Sequence, residues 1–373
     1  MTPRAEVVVD LAAIRHNVRL LKDYCGTGFM AVVKADGYGH GLVETGAAAR
    51  AGGADWLGVA TIDEALALRA AGDTGRILCW LTVPGDGWRE AIEQDVDVTA
   101  YSVAELDEIA ATGQPARVQL KVDTGLSRGG APLALWPEVV ARAGRGEREG
   151  SWTVTGIWSH FSSSDEPDDP ANDAQERRFH EALSIAADAG LRPEVRHLAN
   201  SAAAILRPSS RFDLVRCGIA SYGLDPAPGM TPELGLRPAM TARARLAMVK
   251  QLATGDAVSY GRTWTADRDT TVGLVPVGYA DGLIRAGGNH AEVLVGGKRR
   301  KVRGRICMDQ LVVDLEGDDP GAGAEVMVFG TGEQGGPTAQ DWAEACGTIS
   351  YEVLTRIGGR FTRRYVDSET LGA

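Results

Sequence analysis

Between residues 29 and 216, short apolar runs rich in β-branched residues alternate eight times with Ala-rich stretches of helical period. No other feature constrains the fold as tightly. The runs fall at 29–33, 56–60, 76–81, 96–99, 117–122, 153–159, 194–198 and 212–215. Parallel neighbours need a crossover, usually a helix, so eight rounds in under 200 residues predict an α/β fold built on a (β/α)8 barrel. Periodicity does not show closure, and an open doubly wound sheet shares the pattern.

Before the first run, Asp10 can cap a helix whose apolar positions Leu11, Ile14, Val18 and Leu21 recur at spacings of three and four. That helix is expected to plug or flank the barrel. After Arg237-Pro238 the pattern changes to strand-like runs at 241–252, 270–277, 292–295, 302–306, 310–315 and 325–329, separated by Gly-rich turns. A helical stretch at 339–357 and a strand at 361–366 close the chain. The expected division is a barrel domain with an N-terminal extension over residues 1–237 and a mainly β domain over 238–373.

Charge and cysteine content narrow the partners. A formal net charge of −11 repels phosphate backbones and anionic lipid, so neither nucleic acid nor a membrane is expected. The densest basic run, Lys298-Arg299-Arg300-Lys301 with Arg303 and Arg305, follows a Gly-Gly turn and reads as the solvated face of a hairpin. Five widely spaced cysteines without a C-x-x-C give no disulfide framework and no zinc knuckle, so no metal is expected. The N-terminus lacks a signal-type apolar core and no 18-residue apolar stretch occurs, which predicts a cytoplasmic location.

Barrel active sites form at the C-terminal ends of the strands, and here those ends are polar. Lys34 follows the first run; at a desolvated barrel mouth its pKa falls, which suits it to Schiff-base chemistry, although a strand-end lysine ordinarily just reaches solvent. The fifth run leads into Lys121 and a glycine-rich turn presenting Arg128, whose planar fork suits a carboxylate or phenolate, or a structural pair with Asp123. His160 after the sixth run suits a general base, a metal ligand, a relay or a satisfied core histidine. Asn200-Ser201 after the seventh can start a helix, with Asn200 as its N-cap, and offer phosphate-binding groups. Arg216 and Gly218 follow the eighth, where barrels commonly place a phosphate. A lysine at one rim position, phosphate-type amides at the loops after the seventh and eighth runs and an arginine nearby outline a pyridoxal phosphate site.

These residues carry a family resemblance. Ala31-Val32-Val33-Lys34-Ala35-Asp36-Gly37-Tyr38-Gly39-His40-Gly41, Lys121-Val122-Asp123-Thr124-Gly125, Ser159-His160-Phe161 and Arg216-Cys217-Gly218-Ile219 resemble the motifs of alanine racemase, a fold-type-III pyridoxal phosphate enzyme. So do Val258-Ser259-Tyr260-Gly261, Pro276-Val277-Gly278-Tyr279-Ala280-Asp281-Gly282 and Gly304-Arg305-Ile306-Cys307-Met308-Asp309-Gln310. The resemblance extends end to end and implies interconversion of L- and D-alanine, D-alanine for peptidoglycan, and a homodimer sharing its active sites.

By the same resemblance Lys34 would bind the cofactor covalently and act on one face of the substrate carbon, and Tyr260 of the partner chain on the other. His160 and Arg216 would tune Tyr260, and Arg216 would face the pyridine nitrogen. Tyr38, Ser201, Gly218, Ile219 and Tyr351 would hold the phosphate. Arg128 and the Met308 amide would bind the carboxylate, Tyr279 would stand at the entrance, and Lys121 matches a lysine carbamylated in some members. Asp36-Gly37, Leu126-Ser127 and Ser221 depart from the commonest family pattern. The alternative is a fold-type-III racemase or decarboxylase acting on another small amino acid. Decarboxylases of this architecture set a carboxylate against the pyridine nitrogen, where this chain has Arg216.

Overall fold

Eight of the apolar runs become parallel strands: Gly28–Val32, Trp56–Val59, Arg76–Cys79, Asp97–Ala100, Ala116–Asp123, Trp152–Trp158, Val195–His197 and Leu214–Cys217. They are the first to eighth barrel strands below. In the computed structural model, which describes residues 3–368, the first seven pair in sequence order and the eighth pairs with the first. The remaining seam carries Asp213 N to Arg196 O at 3.1 Å and Arg216 N to Ala199 O at 3.0 Å. The sheet therefore returns on itself as a nearly closed barrel, which rules out the open sheet. Met30, Trp56, Leu78 and Leu214 form one layer of its filling.

Local sequence sets the crossovers. Thr61 and Glu64 form a capping box for helix Ile62–Ala70, and Ser102, Asp169 and Asn200 cap Val103–Ala111, Pro170–Asp188 and Ser201–Leu206. The eighth strand is followed only by the short 3-10 turn Ile219–Tyr222. Helix Leu11–Cys25, started by Asp10 Oδ1 accepting from Ala12 N at 3.0 Å, takes the missing place. Its Asn17 Nδ2 donates to Ser221 O at 3.3 Å and its Tyr24 hydroxyl to Ile205 O at 3.4 Å. The helix thus flanks the barrel and does not plug it.

Two compact units emerge among the described residues: 14–37 with 41–236, and 3–13, 38–40 and 237–368. The expected barrel domain included residues 1–13, yet strand Ala5–Asp10 pairs antiparallel with Met240–Arg245 and parallel with Thr362–Val366. Ala5, Val7 and Val9 are buried while the residues between them are half-exposed. That alternation belongs to a sheet with one wet face, whereas barrel strands are covered on both. The second unit's main sheet has nine strands in the order Met248–Leu252, Thr270–Val275, Leu311–Asp314, Lys298–Arg303, Glu292–Val295, Glu325–Phe329, Met240–Arg245, Ala5–Asp10 and Thr362–Val366. Helices Ala339–Cys346 and Ser350–Arg356 replace the single late helix expected, because Gly347 ends the first in the left-handed region. The basic hairpin is solvated at Lys298, Arg299 and Lys301, but Arg300 is buried and pairs with Glu316 and Asp318, so that part of the expectation is corrected. All five cysteines are free, and among the described residues no helix is long and apolar enough to cross a membrane.

The N-terminal end of the barrel is stapled by charge. Asp97, fully buried at the start of the fourth strand, accepts from Arg76 Nη2 at 2.7 Å, Arg117 Nε at 2.7 Å and Thr155 Oγ1 at 2.7 Å, which joins strands three to six. Removing one partner of a buried ion pair leaves the other charge uncompensated. Asp97→Ala is expected to lower unfolding stability in urea by about 3–5 kcal/mol, and a loss below about 1 kcal/mol, the range of an exposed pair, would contradict this role.

Candidate active site

At the first strand's end the backbone turns left-handed. Ala35, Asp36, Gly37 and Tyr38 have φ of 53°, 54°, 62° and 53°. Each non-glycine residue there costs roughly 1–2 kcal/mol, so the turn persists only because it is pinned. Ala35 N donates to Glu64 Oε1 at 2.7 Å, Leu42 N to Asp36 Oδ1 at 2.9 Å, and Gly37 N to Val33 O at 2.8 Å. A Cβ at Gly37 would stand 2.7 Å from Thr45 Oγ1, which accounts for glycine there. This strained turn sets the departure of Lys34, whose Nζ lies 5.9 Å from the Trp80 ring centroid.

The barrel rim gathers cations with little to neutralise them. Burial, then the charges of Arg128 and Arg216, lower the Lys34 pKa against the opposing pull of Glu64. Lys121 is buried with its Nζ 4.5 Å from the Trp158 ring and 5.1 Å from Tyr101. Burial together with Arg216, Arg128 and Lys34 pushes its pKa down to about 7 despite Asp123. Asp123 does not pair with Arg128: its Oδ1 accepts from Gly125 N at 2.9 Å and Ser127 N at 3.1 Å, shaping the loop that holds Arg128 exposed on the rim. Ser127 has φ 55°, a conformation this carboxylate supports.

Arg216 is the buried centre of the rim. Its Nη1 donates to His197 Nδ1 at 2.9 Å, and its Nη2 to Ser159 O at 2.7 Å, His160 Nδ1 at 3.1 Å and Leu198 O at 3.2 Å. Every acceptor is neutral. Burial pushes the guanidinium down to about 9, which still leaves it charged at neutral pH. A ring nitrogen that accepts from arginine cannot carry a proton, so both histidines hold theirs on Nε2. His197 Nε2 then donates to Gln119 Oε1 at 2.6 Å. Burial first, then Arg216, drives both histidines well below their ordinary pKa. Trp158 stacks on His197 at 5.6 Å and 7°, and lies 4.8 Å from the Arg216 guanidinium carbon.

Beside it, Asn200 Oδ1 accepts from Ala203 N at 3.1 Å as the expected N-cap, and also from the Ser164 hydroxyl at 2.8 Å. Ser201 opens the helix, and its Oγ accepts from Gly218 N at 2.9 Å, which ties the loops after strands seven and eight together beside buried Ile219.

The remaining predicted residues lie in the second unit. Tyr260 sits on the five-residue tip between strands Ala257–Val258 and Trp264–Thr265 and is 73% exposed. Its neighbours Ser259, Gly261 and Arg262 have φ of 64°, 72° and 49°, and Ser259 Oγ donates to Arg305 O at 2.6 Å. Tyr279 N donates to Cys307 O at 3.1 Å and Ala280 N to Met308 O at 3.0 Å, joining two more loops. Tyr38 and Tyr351 place their ring centroids 6.2 Å apart.

The structure thus brings together Lys34, Lys121, His160 and Arg216 as one electrostatic group with Arg128 at its edge. It adds Trp80, Trp158, Tyr101, Gln119 and His197. The two tryptophans follow or end strands three and six, the position rule that found the lysines, yet aromatic residues there read as core. Among the described residues, no three His, Cys, Asp or Glu side chains are grouped to hold a metal.

Comparison with known proteins gives the family. Sequence models of the alanine racemase N-terminal and C-terminal domains match residues 9–226 and 239–365. The alanine racemase of Streptomyces coelicolor is 54% identical, over 98% of this chain and 96% of the relative, and that of Salinispora arenicola is 52% identical, over 98% and 99%. The crystal structure of alanine racemase from D-cycloserine-producing Streptomyces lavendulae matches with a TM-score of 0.96 at 50% identity, over 98% of each chain.

The two histidines make stability pH-dependent. In the unfolded chain they take up protons near pH 6.5, whereas the folded site keeps them neutral to well below that. Their contribution is therefore full above about pH 6.5 and is lost as pH falls below it, by up to about 1.4 kcal/mol per pH unit per histidine. Urea midpoints measured from about pH 7.5 down to 5 should show this acid loss; a flat midpoint would contradict neutral histidines.

Proposed function

The chain belongs to the alanine racemase family, and from that premise we propose which of its residues interconvert L- and D-alanine. The family uses pyridoxal 5'-phosphate and supplies D-alanine for peptidoglycan. The donor set here fits such an anionic cofactor. Lys34, Lys121, Arg128 and Arg216 form no salt bridge among the described residues, so the rim carries unspent positive charge. This uncompensated field is the observation that carries the reading. When bound, the cofactor supplies a conjugated ring that delocalises the electron pair left on the substrate's α-carbon.

Lys34 is the attachment point, and its lowered pKa suits an amine that must be deprotonated to react and then take and return a proton on one face of the α-carbon. Arg216 would present the cofactor's ring nitrogen with a donor that does not give up its proton, which would leave more of the work to the bases. His160, kept neutral beside Arg216, tunes the phenol of Tyr260, which serves the opposite face. Tyr38, Asn200, Ser201, Gly218, Ile219 and Tyr351 would hold the phosphate. Arg128 and the Met308 amide bind the substrate carboxylate, with Tyr279 at the entrance. Lys121, with a pKa near 7, is available as the neutral amine that carbamylation requires, and the new carboxylate would orient Arg128.

The assembly is a homodimer with shared sites. Tyr260 at 73% and Met308 at 53% exposure are held out on braced turns, as groups meant for a second copy would be. Mixing Lys34→Ala with Tyr260→Phe chains tests this, because only the hybrid has one intact site. Recovery to roughly a quarter of the wild-type rate is expected for random mixing, with Lys34→Ala alone lacking the visible absorption of bound cofactor. No recovery in verified hybrids would place each site within one chain.

A further inference from the structure

One arginine fixes the two loops that carry Tyr279 and Met308. Asp281, two residues beyond Tyr279, is fully buried and accepts from Gly278 N at 3.0 Å, Arg360 N at 3.2 Å, Arg360 Nε at 2.6 Å and Arg360 Nη2 at 2.8 Å. The remaining guanidinium nitrogen, Nη1, donates to Asp309 Oδ1 at 2.6 Å, directly after Met308. Burial alone would raise the Asp281 carboxyl, but the Arg360 fork and the two amides outweigh it and hold its pKa below the usual range.

The backbones beneath this fork have no slack. A Cβ at Gly278 would lie 2.2 Å from Cys307 O, and one at Gly359 would lie 2.5 Å from Ala280 O. A Cβ at Gly282, where φ is 99°, would lie 1.9 Å from Arg356 O, at the end of the helix that carries Tyr351. These segments are in direct backbone contact, and the fork adds a side-chain bridge between the two loops.

We propose that Arg360 is a positioning residue for substrate binding: by bridging Asp281 and Asp309 it locks the Tyr279 loop against the Met308 loop, so that the Met308 amide meets the substrate carboxylate at a fixed place. This rests on the reading that these loops serve an active site. The two halves of the bridge differ. Arg360 with Asp281 is a bidentate pair on a fully buried carboxylate, and its loss disturbs folding. Arg360 with Asp309 is exposed, contributes little to stability, and so isolates the positioning role. A carboxylate contact made equally before and during reaction governs KM and leaves kcat alone. Lysine cannot span both carboxylates, because it is a single point charge.

Steady-state kinetics of the cofactor-loaded enzyme in both directions tests the proposal. Asp309→Asn should fold normally and raise KM for both enantiomers about threefold, and Arg360→Lys about tenfold or more, with kcat within about twofold. Arg356→Gln, which removes an exposed arginine paired with Glu352 one turn away, should change neither constant. Tyr279→Ala separates the two ideas. If it raises KM while Asp309→Asn and Arg360→Lys do not, the bridge has no positioning role; if it leaves KM unchanged, the site reading fails and the proposal with it. A fall in kcat at unchanged KM in Asp309→Asn would also overturn it.

Discussion

A guanidinium buried among neutral acceptors is the constraint on which the rest of this molecule depends. Arg216 gives its hydrogens to two carbonyls and two imidazoles, and among the described residues no carboxylate pairs with it. Desolvating a charge without a counter-ion is expensive, and the cost is tolerable only where every hydrogen finds an acceptor or where a ligand supplies the missing anion. The first condition is met here at both terminal nitrogens. The acceptors keep the arginine in place, and its residual field lowers the pKa of Lys121 and, with Arg128, of Lys34.

The frame separates stability from chemistry. At the N-terminal end of the barrel, Asp97 is fully paired and joins four strands; at the C-terminal end the charges are left unpaired and the backbone is strained at residues 35–38. Such strain survives because Glu64 and Asp36 hold amides that would otherwise relax it. The second unit repeats the device at Ser259 and Arg262, whose left-handed φ angles turn Tyr260 outward. Rigid elements thus carry side chains that the chain's own packing does not satisfy, which is how a preorganised site is built.

Much of this was legible in the sequence, for physical reasons that also explain what was not. Barrel strands are buried on both faces and read as continuous apolar runs, so all eight fell where expected. Ala5–Asp10 was placed in the wrong unit because a short valine run looks the same whichever sheet it joins, and only its alternating burial assigns it. Strand-end position exposed Lys34, Lys121, His160 and Arg216, but it said nothing of His197, whose role comes from a contact between the seventh and eighth strands. Trp158 lies within the sixth run with nothing in the sequence to single it out, yet it packs on His197, Arg216 and Lys121 at once. Tyr260, Tyr279 and Met308 were identified through resemblance alone, since no periodicity marks a residue on a turn. Arg300 shows the converse: a basic run looks solvated until acidic residues on a neighbouring loop bury one member.

The central claim is that Arg216 donates to both imidazoles and fixes their protonation. Nitrogen-15 NMR of histidine-labelled protein reads this directly. The account predicts that His160 and His197, assigned by substitution, each show a bare Nδ1 and a protonated Nε2, unchanged from about pH 8 down to about pH 5. Either ring titrating near the ordinary histidine pKa, or carrying its proton on Nδ1, would contradict it.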